Sequence, residues 1–296
     1  MRISALHEVE RRPRRVAVGE FDGVHLGHRE VIRGADTVLT FEPHPLSVIK
    51  PEAAPKLLTR LDAKAALVET LGVEELVVIA FDRRFAGLDA DTFIEMVLVG
   101  KLDARSVSVG ENFRFGRGAS GDTELLAARP EFDTRVVALV ELEGEIISSS
   151  HIRGLVLAGD VATANRFLGD PFQMRGEVVG GDRRGRTLGY PTANLVPDDR
   201  YVTPGHGVYA CLASWDGGPP RPAAVNVGVR PTFESGRGVL VEAYVIGIEA
   251  DLYGKDLRLG FLARLRGERR FDSVDALVDQ MAEDVARALE VAESHA

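Results

Sequence analysis

The sequence predicts an α/β domain with a parallel sheet, followed by an antiparallel β domain that ends in a helix. Three observations predict this fold. The chain has 296 residues, which is enough for two separate cores. In the first half, short apolar runs alternate with helical patterns, as in a parallel sheet covered by helices. After Pro171, short β-rich runs follow one another between Gly, Pro and Asp residues, which favours an antiparallel barrel or sandwich.

Five buried strands are expected in the first domain, at residues 15–19, 37–41, 76–81, 106–109 and 136–140. Residues 59–71 and 91–102 are expected to form helices, because Asp or Thr stands near each start and Gly near each end. Residues 28–36 leave room for about two helical turns between the first two strands. Apolar residues at helical spacing predict a further helix at residues 148–169.

The second domain is expected to contain strands at residues 176–179, 208–213, 224–227, 239–246 and 257–265. A terminal helix is expected at residues 272–290, where apolar residues recur at helical spacing behind Asp272 or Ser273 as the cap. We place the boundary between residues 171 and 172, which gives domains at residues 1–171 and 172–296.

Composition excludes several classes of partner. The net charge is −9, so nothing draws the whole molecule to nucleic acid or to an anionic membrane. The single cysteine, Cys211, excludes an intramolecular disulfide and fits a reducing compartment. No run approaches the ~20 apolar residues of a membrane span. We expect a cytoplasmic protein without nucleic-acid or membrane partners, and the sequence leaves its oligomeric state open.

The strongest motif, GEFDGVHLGH, covers residues 19–28 directly after the first strand. Its glycines let backbone N–H groups approach a ligand, and a helix start adds a partial positive charge, which together suit a polyphosphate. Two histidines three apart on a first turn can donate to phosphoryl oxygens. The alternative is a Gly-rich turn with two incidental histidines. The candidates are Gly19, Phe21, Asp22, Gly23, His25, Gly27 and His28.

Two later segments of the first half add polar candidates. The stretch ISSSHIR places Ser149, Ser150 and Arg153 at a helix start, where they suit the phosphate tail of ATP. The stretch GENFRFG contributes Asn112. The alternatives are a helix cap with a surface arginine and a turn between core phenylalanines.

The second domain has a motif at residues 180–195, whose first ten residues contain three arginines and four glycines and form a cationic loop. Its arginines and glycines suit closure over phosphates, although a solvated hairpin tip has the same composition. Thr192 and Asn194 lie two apart on an extended segment, so both side chains face one side and offer oxygen ligands for Mg²⁺. Glu242 lies in an apolar strand and is either a site residue or an outward-facing carboxylate. The other loop candidates are Gly181, Arg184, Gly185, Arg186, Thr187 and Pro191.

Both motifs resemble those of the bacterial bifunctional riboflavin kinase/FMN adenylyltransferase family. The first resembles the HxGH signature of nucleotidyltransferases in its longer GxFDGxHxGH form, and residues 147–153 match ISSTxIR with Ser150 in place of Thr. Residues 180–195 resemble the GRxLG[FY]PTAN region of riboflavin kinases. The resemblance runs from about residue 14 to residue 285 and implies a Rossmann-like nucleotidyltransferase domain followed by a β-barrel kinase domain.

The resemblance also implies the chemistry. In the barrel, Glu242 would be the base for phosphorylation of riboflavin by MgATP, with Thr192 and Asn194 at the metal. In the α/β domain, His25, His28 and Arg153 would act in the transfer of AMP from ATP to FMN, which gives FAD. The implied substrates and products are ATP, riboflavin, FMN and FAD, with Mg²⁺ as the cofactor.

The sequence departs from the family at two places. Glu20 stands where the family often has Asn or Val, and the first crossover is about a dozen residues shorter than the family's. Two alternatives stay open. HxGH alone does not identify the acceptor, so the first domain could be a nucleotidyltransferase with another phosphate acceptor, and the shortened crossover allows a flavin or nucleotide sensor with decayed sites. The intact His25, His28, Thr192, Asn194 and Glu242 argue against decay.

Overall fold

A computed structural model describes residues 1–180, 188–229, 239–248 and 250–295. The chain divides into two compact units, Met1–Ser149 and Ser150–Ala296. Within the described residues, none of the helices has the length and apolar character needed to cross a membrane.

The first unit is built on a six-stranded parallel sheet, as the sequence predicts. Its strand order is β1-β4-β3-β2-β5-β6, and apolar side chains cover both faces. The edge strand β1 was not predicted, because only one of its four side chains is buried. The strand expected at residues 136–140 is wrong by three residues, because the edge strand β6 spans Asp133–Val137. The strands are β1 (Arg2–Ala5), β2 (Arg14–Val18), β3 (Thr37–Glu42), β4 (Glu75–Ala80), β5 (Ala104–Gly110) and β6 (Asp133–Val137).

Short helices connect these strands. The first crossover contains a two-turn helix, α1, as its length predicts. Helix α5 continues into a π-helix over Ile94–Lys101, and a small hairpin of β7 (Glu141–Leu142) and β8 (Glu145–Ile146) closes the unit. The helices are α1 (Leu26–Ile32), α2 (Pro45–Ile49), α3 (Leu61–Thr70), α4 (Arg83–Ala86), α5 (Ala90–Phe93) and α6 (Thr123–Ala127).

Two helices replace the single helix expected at residues 148–169. Helix α7 (Ser149–Ala158) ends at Gly159, whose φ of 84° is left-handed. Asp160 then caps α8 (Val161–Leu168) by accepting a hydrogen bond from the amide of Thr163. The break follows from these two residues, which end one helix and begin the next.

The second unit contains a closed antiparallel barrel, which decides between the barrel and the sandwich. Its strands are joined in the order β10-β13-β12-β11-β14-β9 around the ring. The terminal helix α9 (Val274–Glu293) is capped by Ser273 and packs on β11, β12 and β14. The strands are β9 (Phe172–Val179), β10 (Ala193–Leu195), β11 (Gly207–Ser214), β12 (Arg221–Val229), β13 (Val239–Val245) and β14 (Asp256–Arg266).

The division between the compact units lies before the boundary expected from sequence. Helix α8 packs against β14 and β9, and the Asn165 amide donates to the carbonyl of Phe261. The side-chain oxygen of Asn165 also accepts from the amide of Phe172 at 2.7 Å. The helices before the barrel therefore belong to its compact unit, while the domain limits 1–171 and 172–296 stay a prediction.

Candidate active sites

The turn after β2 has a constrained backbone. Phe21, Gly23 and Val24 have φ angles of 51°, 90° and 43°. Phe21 and Val24 occupy this conformation because their side chains are buried in the core. A Cβ atom on Gly19 would lie 2.9 Å from the Phe21 ring, so the position requires glycine. The turn follows β2 at the carboxyl edge of the sheet, where ligands bind in open α/β folds.

Asp22 holds this turn in place from inside. Its side chain is 4% exposed, and Oδ1 accepts hydrogen bonds from the amides of Leu58 and Thr59 at 2.8 and 3.1 Å. Its backbone carbonyl accepts from the Ser149 hydroxyl at 2.9 Å. Asp22 and Ser149 thus stabilise the turn through hydrogen bonds.

His25 and His28 form a stacked pair at the start of α1. Their ring centroids are 3.5 Å apart at an interplanar angle of 18°. The backbone N–H of His28 donates to Nδ1 of His25 at 3.2 Å, so His25 is the N-cap of the helix and its own proton lies on Nε2. A Cβ atom on Gly27 would lie 3.3 Å from the His25 ring.

Both rings are neutral at neutral pH. Burial, together with Arg29, lowers the pKa of His25 to about 4. Burial, together with His25 and Lys64, lowers the pKa of His28 well below its usual value. The two histidines can therefore meet phosphoryl oxygens as N–H donors and do not act as cations.

Beneath the turn lies a polar group that the sequence did not reveal. Lys64 of α3 is 3% exposed, and its ammonium group donates to the carbonyl of Glu20 at 2.5 Å and to Oγ1 of Thr40 at 3.2 Å. Burial raises the pKa of the Glu20 carboxyl to about 8, against an opposing effect of Lys64. A lysine in a helical pattern is usually solvated, so the sequence gave no signal for this contact.

Three further candidates for ATP binding, Asn112, Ser150 and Arg153, lie on other elements of the chain. Asn112 is exposed and follows β5, the neighbour of β2 in the sheet. Ser150 and Arg153 belong to the second compact unit, on the first turn of α7, where the guanidinium lies 3.5 Å from the Ser150 hydroxyl. Roles for these three residues in ATP binding stay predictions.

In the barrel, three polar residues form a row across neighbouring strands. Asn194 of β10 and Asn226 of β12 are both register partners of Glu242 on β13. The Asn226 amide donates to Oε2 of Glu242 at 3.4 Å. The flanking Val241 and Ala243 are buried, so alternation places Glu242 on the outer face of the barrel. This carboxylate is half-buried and has the Asn226 amide as a partner, a contact that the sequence alone did not reveal.

Beside this row lies a cavity of about 700 Å³. Its polar lining includes Thr192 and Asn194, whose hydroxyl and amide oxygens are hard ligands. A neutral pair of this kind fits a Mg²⁺ ion that also keeps water and phosphate oxygens as ligands. The cavity is large enough for a nucleotide or a flavin ring. It is also lined by Val178, Pro191, Ala193, Ala243, Val245, Ile248, Ala250, Asp251, Leu252 and Tyr253.

The arginines of the loop that is predicted to bind phosphates lie outside the described residues. The loop candidates concerned are Gly181, Arg184, Gly185, Arg186 and Thr187. Pro191, which follows the loop, is exposed at the cavity rim. A phosphate-binding role for the loop stays a prediction.

Comparison with known proteins gives a consistent result for both units. A family model described as FAD synthetase matches residues 7–151, and one described as riboflavin kinase matches residues 168–292. The bifunctional riboflavin kinase/FMN adenylyltransferase of Escherichia coli strain K12 is 38% identical, over 97% of this chain and 96% of that protein. The protein of the same name from Bacillus subtilis strain 168 is 35% identical, over 93% of this chain and 91% of its own.

A solved structure extends the likeness to the fold. The crystal structure of a protein described as a macrolide-efflux protein from Streptococcus pneumoniae is 32% identical and has a TM-score of 0.87. The alignment covers 96% of this chain and 97% of that one. With both family models matched in order and the relatives aligned over nearly their whole length, the chain belongs to the family of bifunctional riboflavin kinase/FMN adenylyltransferases and has the two enzymatic activities of that name.

Proposed function

We propose that the chain makes FAD from riboflavin in two steps, one in each unit. In the barrel unit, the 5′-hydroxyl oxygen of riboflavin attacks the γ-phosphorus of ATP, which gives FMN and ADP. In the α/β unit, a phosphate oxygen of FMN attacks the α-phosphorus of a second ATP, which gives FAD and pyrophosphate. Both steps take place in the cytoplasm.

In the kinase step, Glu242 accepts the proton of the attacking hydroxyl. Asn226 holds the carboxylate at one oxygen, which orients the other toward the substrate. Thr192 and Asn194 would hold Mg²⁺ at the cavity wall, where the metal would neutralise phosphate charge on ATP. Arg184 of the preceding loop would bind the phosphates.

In the adenylyltransferase step, no protein base is required, because the phosphate of FMN is already a nucleophile. His25 and His28 donate hydrogen bonds to the phosphoryl oxygens that gain charge in the transition state. Gly23 and Gly27 keep the backbone of the turn open to the triphosphate. Catalysis in this unit therefore comes from positioning and from hydrogen-bond donation.

The observation that carries this proposal is the presence of a separate polar site in each unit: the stacked histidines in one and the Asn194–Glu242–Asn226 row in the other. The test is incubation of the chain with riboflavin, Mg²⁺ and ATP labelled at either the α- or the γ-phosphorus. FMN should carry only the γ label, and FAD should carry both labels. FMN without FAD would indicate a different acceptor for the first unit, and unchanged riboflavin would indicate a sensor.

A further inference from the structure

Lys64 is anchored to the start of the nucleotide-binding turn by a closed set of hydrogen bonds. Its ammonium group donates to the Glu20 carbonyl and to the Thr40 hydroxyl, and that hydroxyl also donates to the Glu20 carbonyl at 3.1 Å. Thr40 is fully buried and Lys64 is 3% exposed. The carbonyl of Glu20 is thus fixed from two directions by α3 and β3.

The turn requires such an anchor because its backbone is strained. Phe21, the next residue after Glu20, has a φ of 51°, and Val24 has a φ of 43°. Side chains with a Cβ adopt this region only where the surroundings determine the conformation. Asp22 fixes the middle of the turn through the amides of Leu58 and Thr59. Lys64 and Thr40 fix its beginning.

The charge of Lys64 is incompletely compensated. Among the described residues, no carboxylate lies within ion-pair distance of its ammonium group, whose two hydrogen bonds leave one N–H unused. The nearby Glu20 carboxyl is a poor counterion near pH 7 because burial raises its pKa to about 8, and its Oε2 atom has no hydrogen-bond partner among the described residues. A buried cation without a counterion is costly, so an anion that binds above it relieves that cost.

We propose that Lys64 is a positioning residue of the adenylyltransferase site, which fixes the Glu20 carbonyl at the start of the turn and supplies buried positive charge toward the triphosphate of ATP. This inference rests on the proposed function of the first unit. The triphosphate is the anion that completes the charge balance beneath the turn. Lys64 acts through the turn and through its field and does not touch the reacting atoms.

Three variants test this role. Lys64→Met removes the charge and both hydrogen bonds at nearly constant volume. Thr40→Val removes one acceptor and one donor but keeps the charge. Lys101→Met is the matched control. The ammonium group of Lys101 also donates to a backbone carbonyl, that of His7, but Lys101 lies before the amino end of β5, whereas the turn lies at the carboxyl ends of the strands.

Each variant is assayed for FAD formation from supplied FMN and for FMN formation from riboflavin. The second activity belongs to the other unit and controls for the quality of the preparation. We expect Lys64→Met to raise the KM for ATP about tenfold or more and to lower kcat, with kinase activity unchanged. Thr40→Val should lower kcat several-fold while the KM for ATP changes less than about twofold. Lys101→Met should match the wild type.

The pH profile separates this role from a merely structural one. Burial is the largest influence on both groups: it raises the pKa of Glu20, which also faces Asp22 and Glu42, and lowers the pKa of His28, which also faces His25. The charge of Lys64 acts to lower both pKa values. Loss of the charge should raise both pKa values. The alkaline decline of kcat/KM, where ionised Glu20 repels the triphosphate, should therefore move upward by about one pH unit in Lys64→Met.

The outcomes are distinct. A folded Lys64→Met variant with wild-type kcat, KM for ATP and pH profile would overturn the inference. If hydrogen exchange shows that the first unit of Lys64→Met is unfolded, Thr40→Val decides, and an unchanged kcat there overturns it. A wild-type chain that makes no FAD from FMN would instead contradict the proposed function.

Discussion

Asn226 donates its side-chain amide to Oε2 of Glu242 across neighbouring strands, at 3.4 Å. This contact orients the carboxylate that we propose as the base for riboflavin. Replacement of Asn226 by alanine should therefore lower kcat for FMN formation about tenfold, with a smaller change in the KM for riboflavin. Steady-state kinetics check this, and FAD formation from supplied FMN should stay at the wild-type rate. Equal losses in both reactions would mean that Asn226 supports the fold and not the base.

The buried histidines predict acid sensitivity of the first unit. His25 has a pKa of about 4 in the folded chain and a usual value of 6.5. As the pH falls from 6.5 toward 4, His25 binds a proton in the unfolded state but not in the folded state, so the free energy of unfolding decreases. His25→Asn, which keeps an N-cap, should flatten this decrease.

Urea unfolding at several pH values, followed by hydrogen exchange of first-unit peptides, measures this effect. His7→Gln is the control, because the His7 side chain is 83% exposed. A His25→Asn variant with the same pH dependence as the wild type would contradict the pKa argument.

Glu20 predicts the opposite pH dependence. Its pKa rises from a usual value of 4.5 to about 8 because of burial, so its contribution to stability is present below pH 4.5 and lost as the pH rises through 8. Glu20→Gln, which mimics the protonated acid, should raise the melting temperature of the first unit by roughly 5 °C at pH 8 and much less at pH 5. Calorimetry checks this, with the exposed Glu131→Gln as control. An equal rise in melting temperature at pH 5 and pH 8 would contradict a raised pKa of Glu20.

Arg266 and Asp284 connect the last strand to the terminal helix. Two guanidinium nitrogens of Arg266 bind the Asp284 carboxylate, at distances from 2.7 to 3.0 Å, and Asp284 is 4% exposed. Arg266→Met leaves a buried charge unpaired and should destabilise the barrel by about 3 kcal/mol. The exposed Asp216–Lys255 pair supplies the control, Asp216→Asn, with a change within about 0.5 kcal/mol. Urea unfolding followed by Trp215 fluorescence measures both, and equal changes would contradict the assignment.

The sequence predicted the elements that have strong periodic patterns. The interior strands β2, β3 and β4 appear as largely apolar runs because both sheet faces are covered. The edge strand β1 has a single buried side chain, Ser4, and therefore has no such pattern. The break at Gly159 was missed because the apolar spacing of α7 continues into α8. A backbone angle and a cap, rather than hydrophobicity, separate these helices.

The candidate sites were predictable where residues lie close together in sequence. The histidines and glycines of the turn lie within one stretch of ten residues, and Thr192 and Asn194 are two residues apart. Lys64 lies 44 residues from its partner Glu20 in the sequence, and helix packing brings the two together. Asn226 lies 16 residues from Glu242, and the register of the strands brings these two together. Neither residue type is distinctive by itself. Contacts of this kind follow from the tertiary fold and were not accessible to motif reading.

We infer that one chain contains two separate active sites, one for each reaction. Glu242→Gln should form no FMN from riboflavin yet make FAD from supplied FMN at the wild-type rate. His28→Ala should make FMN normally, with FAD formation reduced about 100-fold or more.

The most direct test mixes these two variants in one tube with riboflavin, ATP and Mg²⁺, and follows the flavins by chromatography. We expect the mixture to make FAD, because His28→Ala supplies FMN and Glu242→Gln converts it. Loss of both reactions in Glu242→Gln, and a mixture that makes no FAD, would contradict that inference.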